Sequence, residues 1–419
     1  MLHATNNCPE KVIVVGVGLK SDPLHEIREN LIELEELVHS AGGEVVGSVI
    51  QILKKYQPHT LIGSGKVQEL FHMVQDSHCS LVVIDHQLSG SQAKNLNEAL
   101  KCKVIDRSQL ILDIFAQRAQ TYEGKLQVEL AQMLDQLPRM VGGWLGSLSR
   151  QAGGIGTRGP GETALERDRR RIHERIKQIK KKLETVKKNR HQHRMKRQKN
   201  RIPSFALIGY TNAGKSSLLN KLTQSHVYAK DQLFATLDPT TRQIFLPEVG
   251  NCVITDTVGF IHKLPTQLIE AFKATLEESS NADILIHVMD LSNPHLEKQK
   301  RVVDQLIDEL GWGSKPLIHV YNKVDAAPFE KQLHIETFPR VFTSALTGRG
   351  LEQLKKLMTE EVQKLKQDVE LFFSQEEAHK IFELSRITPI LKKEESPSGI
   401  LCHVQLSPTQ MSQWKKYRL

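Results

Sequence analysis

The chain has 419 residues, five scattered cysteines and a formal net charge of +9 at pH 7. That length suits two to four domains with cores of their own, and no apolar run reaches the ~18 residues that span a bilayer. The polar stretch 1–11 lacks the apolar core of a secretory signal. The cysteines, with no CxxC pair, argue against a zinc site or a disulfide framework. A cytoplasmic monomer without a membrane anchor is expected, with peripheral membrane association the remaining option.

Apolar runs at 11–16, 81–85 and 103–106 predict buried strands, and 24–40, 67–75 and 91–100 predict the helices between them. Such alternation predicts a small parallel α/β domain over 1–106. Within it, Gly63-Ser-Gly-Lys66 has glycines and a lysine but lacks the spacing and the following Ser or Thr of a phosphate loop. It predicts the start of a helix rather than a second nucleotide site.

Past Asp106 the pattern changes. Leu126, Leu130, Met133 and Leu137 recur at 4-3-4 spacing, and Ile172, Ile176, Ile179, Leu183 and Val186 at 4-3-4-3. Two such stripes predict an antiparallel helical hairpin over 107–200. Between them a glycine-dense stretch, taken as 139–164, predicts an exposed loop at the hairpin tip. From Arg167 to Arg201 there are 17 Lys or Arg against three acids, which leaves the rest of the chain at net −5. The protein is therefore mildly acidic with one basic rod. Residues 191–203 keep the charge, lose the apolar stripe and close at Pro203, which predicts a linker.

Strand and helix signals alternate again over 201–367. There Phe205-Ala-Leu-Ile208 runs into Gly209-Tyr-Thr-Asn-Ala-Gly-Lys-Ser216 and then a helix, the context a phosphate loop needs. Residues Gly209, Tyr210, Thr211, Asn212, Ala213, Gly214, Lys215, Ser216 and Ser217 are expected around the phosphates, with inward amides at the positive end of a helix. Lys215 would neutralise the β- and γ-phosphates, and the Ser216 hydroxyl would ligate Mg²⁺. Asp256, ending the strand 252–255, would hold a magnesium-bound water, and Gly259 would offer its N–H to the γ-phosphate. The threonine that senses the γ-phosphate through Mg²⁺ must come from Phe234-Ala-Thr-Leu-Asp-Pro-Thr-Thr241. Thr236 is favoured, with Thr240 and Thr241 as alternatives, and Phe234 is expected at the nucleotide beside it.

Guanine is specified by Asn322-Lys-Val-Asp325. Asp325 can accept from both N1–H and the exocyclic amine, a pair that adenine lacks. Lys323 would cover the base plane and Asn322 would brace the phosphate loop. Ser344 and Ala345 would offer backbone donors to O6. These residues predict a GTPase that converts GTP to GDP and phosphate, with Lys215, Thr236 and Gly259 at the reacting phosphate. Phe260 stands where many GTPases carry a water-orienting glutamine, so hydrolysis by the isolated chain should be slow. Asn212 admits two readings: it supports a K⁺ ion that accelerates hydrolysis, or it braces the neighbouring switch. The last segment, 368–419, has strand signals at 369–373 and 399–405 around a helix at 376–384, a small α/β appendage.

A net positive rod beside a glycine loop suits a polyanion, with RNA ahead of DNA and a merely solvated charged face as the alternative. Candidate RNA contacts are Arg139, Trp144, Arg150 and Arg158 in the loop, with Arg169 and Arg170 on the rod. The fold class is α/β throughout: a small parallel N-terminal domain, the hairpin, a P-loop GTPase domain with a mixed, mostly parallel sheet, and the appendage.

Over 11–365 the chain resembles the HflX family of GTPases, within the Obg–HflX group. The marks are Gly153-Gly-Ile-Gly-Thr-Arg-Gly-Pro-Gly-Glu-Thr163, Leu61-Ile-Gly-Ser-Gly-Lys66, Phe234-Ala-Thr-Leu-Asp-Pro239 and Asp256-Thr-Val-Gly-Phe260. The resemblance implies a bacterial-type GTPase that binds the large ribosomal subunit and its RNA. It further implies splitting of stalled or idle 70S ribosomes, notably under heat stress, with the hairpin loop near the peptidyl-transferase centre. Stimulation of hydrolysis by the large subunit would then answer the Phe260 problem. A GTPase of ribosome assembly or RNA modification would share every nucleotide residue and differs only in lacking the glycine-loop hairpin. An ATPase is opposed by Asn322-Lys-Val-Asp325.

Overall fold

The structure, a computed structural model, describes residues 9–143, 160–199, 202–223, 233–234, 236–262, 279–406, 410–411 and 414–419, without the side chains of 141–143, 160–165 and 189–199. These fall into two compact units. The first takes the described residues within 1–186, 228–238 and 258–276; the second takes those within 187–227, 239–257 and 277–419.

The first unit runs β1 (Lys11–Leu19), α1 (Leu24–Ala41), β2 (Glu44–Leu53), α2 (Ser64–Ser77), β3 (Leu81–Ile84), α3 (Gly90–Leu100), β4 (Lys103–Asp106), α4 (Arg107–Arg118) and α5 (Tyr122–Gly143). Its sheet has the order β2-β1-β3-β4, with every pair parallel. Central β1 is buried almost end to end, as a strand with both faces covered must be. Strand β2 is absent from the sequence reading. It is an edge strand, mostly half-buried, and Gly47 and Ser48 interrupt its apolar run. Gly63 lies at the start of α2, so the Gly63–Lys66 turn is a helix start.

The helix α6 (Pro160–Lys199) spans 40 residues. Between 166 and 188 its non-exposed positions are Ile172, Arg175, Ile176, Ile179, Leu183 and Val186, the apolar stripe plus one arginine. Arg175 Nε is 2.6 Å from Glu129 Oε1, which ties α6 to α5. Two expectations need correction. Residues 139–143 and 160–164 are helical rather than part of a loop. Residues 191–199 are helix rather than linker. Arg194-Met-Lys-Arg-Gln-Lys199 are good helix formers, and no Gly or Pro interrupts 191–199.

The second unit holds β5 (Ser204–Ile208), α7 (Lys215–Thr223), β6 (Thr240–Leu246), β7 (Gly250–Asp256), β8 (Ile284–Asp290), α8 (Leu296–Glu309), β9 (Leu317–Asn322), α9 (Glu330–Leu333), β10 (Arg340–Phe342) and α10 (Leu351–Lys364). The strand order is β10-β9-β8-β5-β7-β6, and β6 is the antiparallel member. The same unit includes β11 (Gln367–Ser374), α11 (His379–Ser385), β12 (Ile390–Ser396) and β13 (Gly399–Leu406). They form an antiparallel sheet ordered β11-β13-β12. Exposed β12 carries Lys392, Lys393, Glu394 and Glu395, a polar edge with no apolar alternation to betray it in the sequence. No described helix is long and apolar enough to cross a membrane.

The α6 stripe makes a prediction. Ile179→Ala removes a side chain that is 0 % exposed and should cost about 2–5 kcal/mol of denaturant-measured stability. Lys177→Ala, on the exposed face, should change it by less than about 0.5 kcal/mol. Equal midpoints for the two variants would contradict the packing of α6.

Candidate nucleotide-binding site

Strand β5 ends at Ile208, and the chain turns through 209–214 before α7 begins at Lys215. Two glycines make the turn possible. Gly209 has φ +146° and Gly214 φ +88°, and a Cβ would stand 2.1 Å from the Val288 carbonyl oxygen in the first case and 2.3 Å from Asn322 Nδ2 in the second. Asn212 also has positive φ, +59°, a conformation that Asn tolerates better than most residues. The Lys215 ammonium folds back over the loop, donating to the Gly209 carbonyl at 3.1 Å and the Tyr210 carbonyl at 2.8 Å. Thr211 Oγ1 is buried and has no hydrogen-bond partner among the described residues, which is the kind of hydroxyl that a ligand oxygen satisfies.

The Ser216 hydroxyl donates to Asp256 Oδ2 at 2.6 Å, so the two residues expected at a metal come together from α7 and the end of β7. Their oxygens suit Mg²⁺, a hard cation that is held by one or two protein oxygens together with phosphates and water. Among the described residues no cluster of three His, Cys, Asp or Glu could hold a metal unaided. Thr257 anchors the strand end, its hydroxyl donating to the Leu207 carbonyl at 2.6 Å.

Asn322 ends β9. Its Nδ2 donates to the Ala213 carbonyl at 3.0 Å, and its Oδ1 accepts from the Ala345 N–H at 3.0 Å and the Thr343 hydroxyl at 3.3 Å. Lys323 Nζ sits 2.9 Å from Asp290 Oδ2, and Asp290 is itself fixed by the Ser292 N–H and hydroxyl. Asp325 follows on the exposed turn. The two donors expected for guanine O6 are engaged within the protein: the Ser344 N–H on the Arg349 carbonyl at 3.0 Å and the Ala345 N–H on Asn322. Thr343 and Asp290 were missing from the sequence reading. Their roles depend on neighbours across the sheet, which no local motif shows.

The switch residues belong to the first unit. Thr236 is half-buried there, and Val258, Gly259, Phe260 and Ile261 are buried. Phe234, expected at the nucleotide, instead has its ring edge-on to Phe115, with centroids 4.7 Å apart. An apolar ring gains more from that core contact than from a phosphate. Of the alternative threonines, Thr241 is tied to Thr255 by a 2.9 Å hydroxyl contact and Thr240 faces Asp256 across the β6–β7 ladder.

Of the expected RNA contacts, Arg169 and Arg170 are exposed on α6. Trp144, Arg150 and Arg158 lie outside the described residues. Arg139 is a correction: it is 14 % exposed at the side chain and bonds Asp135 at 2.8 Å and Asp106 at 2.7 Å. The i,i+4 spacing of Asp135 and Arg139 was a legible signal for this.

Burial pushes the Lys215 amine down from 10.5 to about 8, with Asp256 opposing. The unfolded chain therefore binds more protons between about 8 and 10.5, and stability rises with pH across that window.

Three family models match in succession: GTP-binding GTPase N-terminal over 28–116, GTP-binding GTPase Middle Region over 118–197, and 50S ribosome-binding GTPase over 204–323. The GTPase HflX of Lacrimispora saccharolytica is 47% identical over 392 residues, covering 93% of this chain and 92% of its own. That of Escherichia coli is 48% identical over 355 residues, 84% and 82% of the two chains. Among solved structures, SsGBP in complex with GDP covers 84% of this chain and 98% of its own, at 25% identity and a TM-score of 0.48.

Phosphate oxygens placed against Lys215 would restore its ordinary pKa. Nucleotide binding at pH ~9 should then take up close to one proton, because the amine is mostly neutral beforehand. Calorimetry in buffers of different ionisation heat measures this, and binding without proton uptake at that pH would contradict the buried lysine.

Proposed function

The chain belongs to the HflX family of GTPases, and on that premise we propose that it is a GTP-driven switch of the cytoplasm that binds the large ribosomal subunit and separates or rescues stalled 70S ribosomes. The observation that carries the reading is the presence, in one chain, of an Asn322-braced phosphate loop and a 40-residue helix whose described exposed positions are mostly arginine and lysine. The first supplies a nucleotide switch; the second suits the phosphate backbone of folded RNA.

Each residue has a defined task in this reading. The amides of 209–217 and the Lys215 ammonium cradle the phosphates, and Ser216 with Asp256 would hold Mg²⁺, directly and through water. Bound there, Mg²⁺ would supply positive charge to offset that of the phosphates. Thr236 and the Gly259 N–H sense the γ-phosphate. Asp325 reads the guanine edge, with Lys323 over the base. Phe260, buried and apolar, cannot orient the attacking water. Hydrolysis is therefore slow alone and is completed by the subunit. Asn212 would help to hold a K⁺ ion that speeds hydrolysis, or else would brace the neighbouring switch.

Sedimentation with purified subunits tests this. A non-hydrolysable GTP analogue should carry the protein into the large-subunit fraction and GDP should not; equal recovery with both would overturn the switch. Replacing Arg169 and Arg170 by Glu should weaken association roughly tenfold and leave GDP affinity unchanged. Turnover should be faster in K⁺ than in Na⁺, and equal rates would remove the K⁺ role.

A further inference from the structure

The first unit holds the segment around Thr236 by three separate contacts. The Leu233 N–H donates to Ser40 Oγ at 3.0 Å, Phe234 packs on Phe115, and Asp238 seats its carboxylate on the start of α5. Asp238 Oδ2 accepts from the Gln120 N–H at 3.1 Å and the Thr121 N–H at 2.9 Å, while Oδ1 takes the Thr121 hydroxyl. Thr121 Oγ1 in turn accepts from the Gly124 N–H at 2.9 Å. A Cβ at Gly124 would lie 2.3 Å from Asp238 Oδ1, so the carboxylate can approach only because that residue is glycine.

The amides of a helix's first turn have no partner within the helix, and an anion near them is favoured by the helix dipole. Asp238 holds the two amides just ahead of α5 and orients the Thr121 hydroxyl that accepts the first-turn Gly124 N–H, although Asp238 and Thr121 are 117 residues apart in sequence. At its other end α5 runs to Gly143, where the glycine-rich stretch begins. The same unit grips the Gly259 segment. Arg107, fixed by Glu33 and by Asp85 at 3.0 Å, donates to the His262 carbonyl at 3.2 Å.

We propose that Asp238 couples the nucleotide to the hairpin: it clasps the start of α5 in one nucleotide state and releases it in the other. The proposal rests on the reading of Thr236 as the γ-phosphate sensor. Thr236 is two residues from Asp238, and the clasp is made of hydrogen bonds no longer than 3.1 Å. A shift of Thr236 by an ångström or two breaks them, because such bonds weaken steeply with distance and angle. The start of α5 then loses one of its two nearby carboxylates, Glu123 being the other, and the loosening enters the helix that leads to the glycine-rich stretch.

Hydrogen–deuterium exchange on the full-length protein, with GDP and with a non-hydrolysable GTP analogue and no ribosomes present, tests the clasp. Exchange at 120–126 should differ about fivefold or more between the two nucleotides. Gly124→Ala places a methyl against the carboxylate yet puts a better helix former in α5; it should abolish the difference and leave nucleotide affinity unchanged. Asp238→Asn, which keeps the shape and removes the charge, should reduce it. Gly65→Ala, with open space at its Cβ, should behave as wild type. If 233–238 responds to nucleotide and 120–126 does not, the clasp is overturned while Thr236 stands. If 233–238 itself fails to respond, the sensor reading falls and the clasp with it. A Gly124→Ala protein that retains the full difference also overturns the proposal.

Discussion

One side-chain amide, that of Asn322, joins three stretches of chain that are distant in sequence. Its nitrogen holds the Ala213 carbonyl of the phosphate loop, and its oxygen holds the Ala345 amide and the Thr343 hydroxyl after β10. The group is 1 % exposed, so each bond lost would leave a buried polar atom unsatisfied, at about 1–3 kcal/mol. Gly214 exists in this context to let the amide in. Because of this brace, the loop that would cradle phosphates and the loop that would read guanine form one piece. Base recognition and phosphate geometry are therefore coupled before any ligand arrives.

Three residues expected at the γ-phosphate belong to the other unit. Thr236, Gly259 and Phe260 group with the N-terminal unit, where apolar and charged contacts fix their neighbours: Phe234 on Phe115, Asp238 on α5, His262 on Arg107. Phe260 is thereby explained as well as noted. A buried ring anchors the segment after Gly259, and the position cannot serve both as an anchor and as a water-orienting polar group. On the proposed reading, the same contacts would link the nucleotide to the hairpin and leave the water-orienting group to a partner.

Local patterns carried most of this from the sequence. The α6 stripe, the phosphate loop, Asn322-Lys-Val-Asp325 and the alternating strands of both sheets were legible because each depends on near neighbours. What escaped was set by distant ones. Strand β2 sits at a sheet edge, where burial is too incomplete to leave an alternating signature. Residues 191–199 are helical and rich in good helix formers, which an apolar stripe does not report. Arg139 read as a free cation because Asp106, one of its two acids, lies 33 residues away. Asp238 and Gly124 form no motif with each other, and neither Ser344 nor Ala345 reveals in sequence that its amide is already engaged.

The most direct test of the account is the single-turnover rate of GTP hydrolysis with and without purified large subunits, in K⁺ buffer. If a partner completes a site that Phe260 leaves incomplete, saturating subunits should raise the rate by about a hundredfold or more. A rate that does not change with subunit concentration would contradict the account.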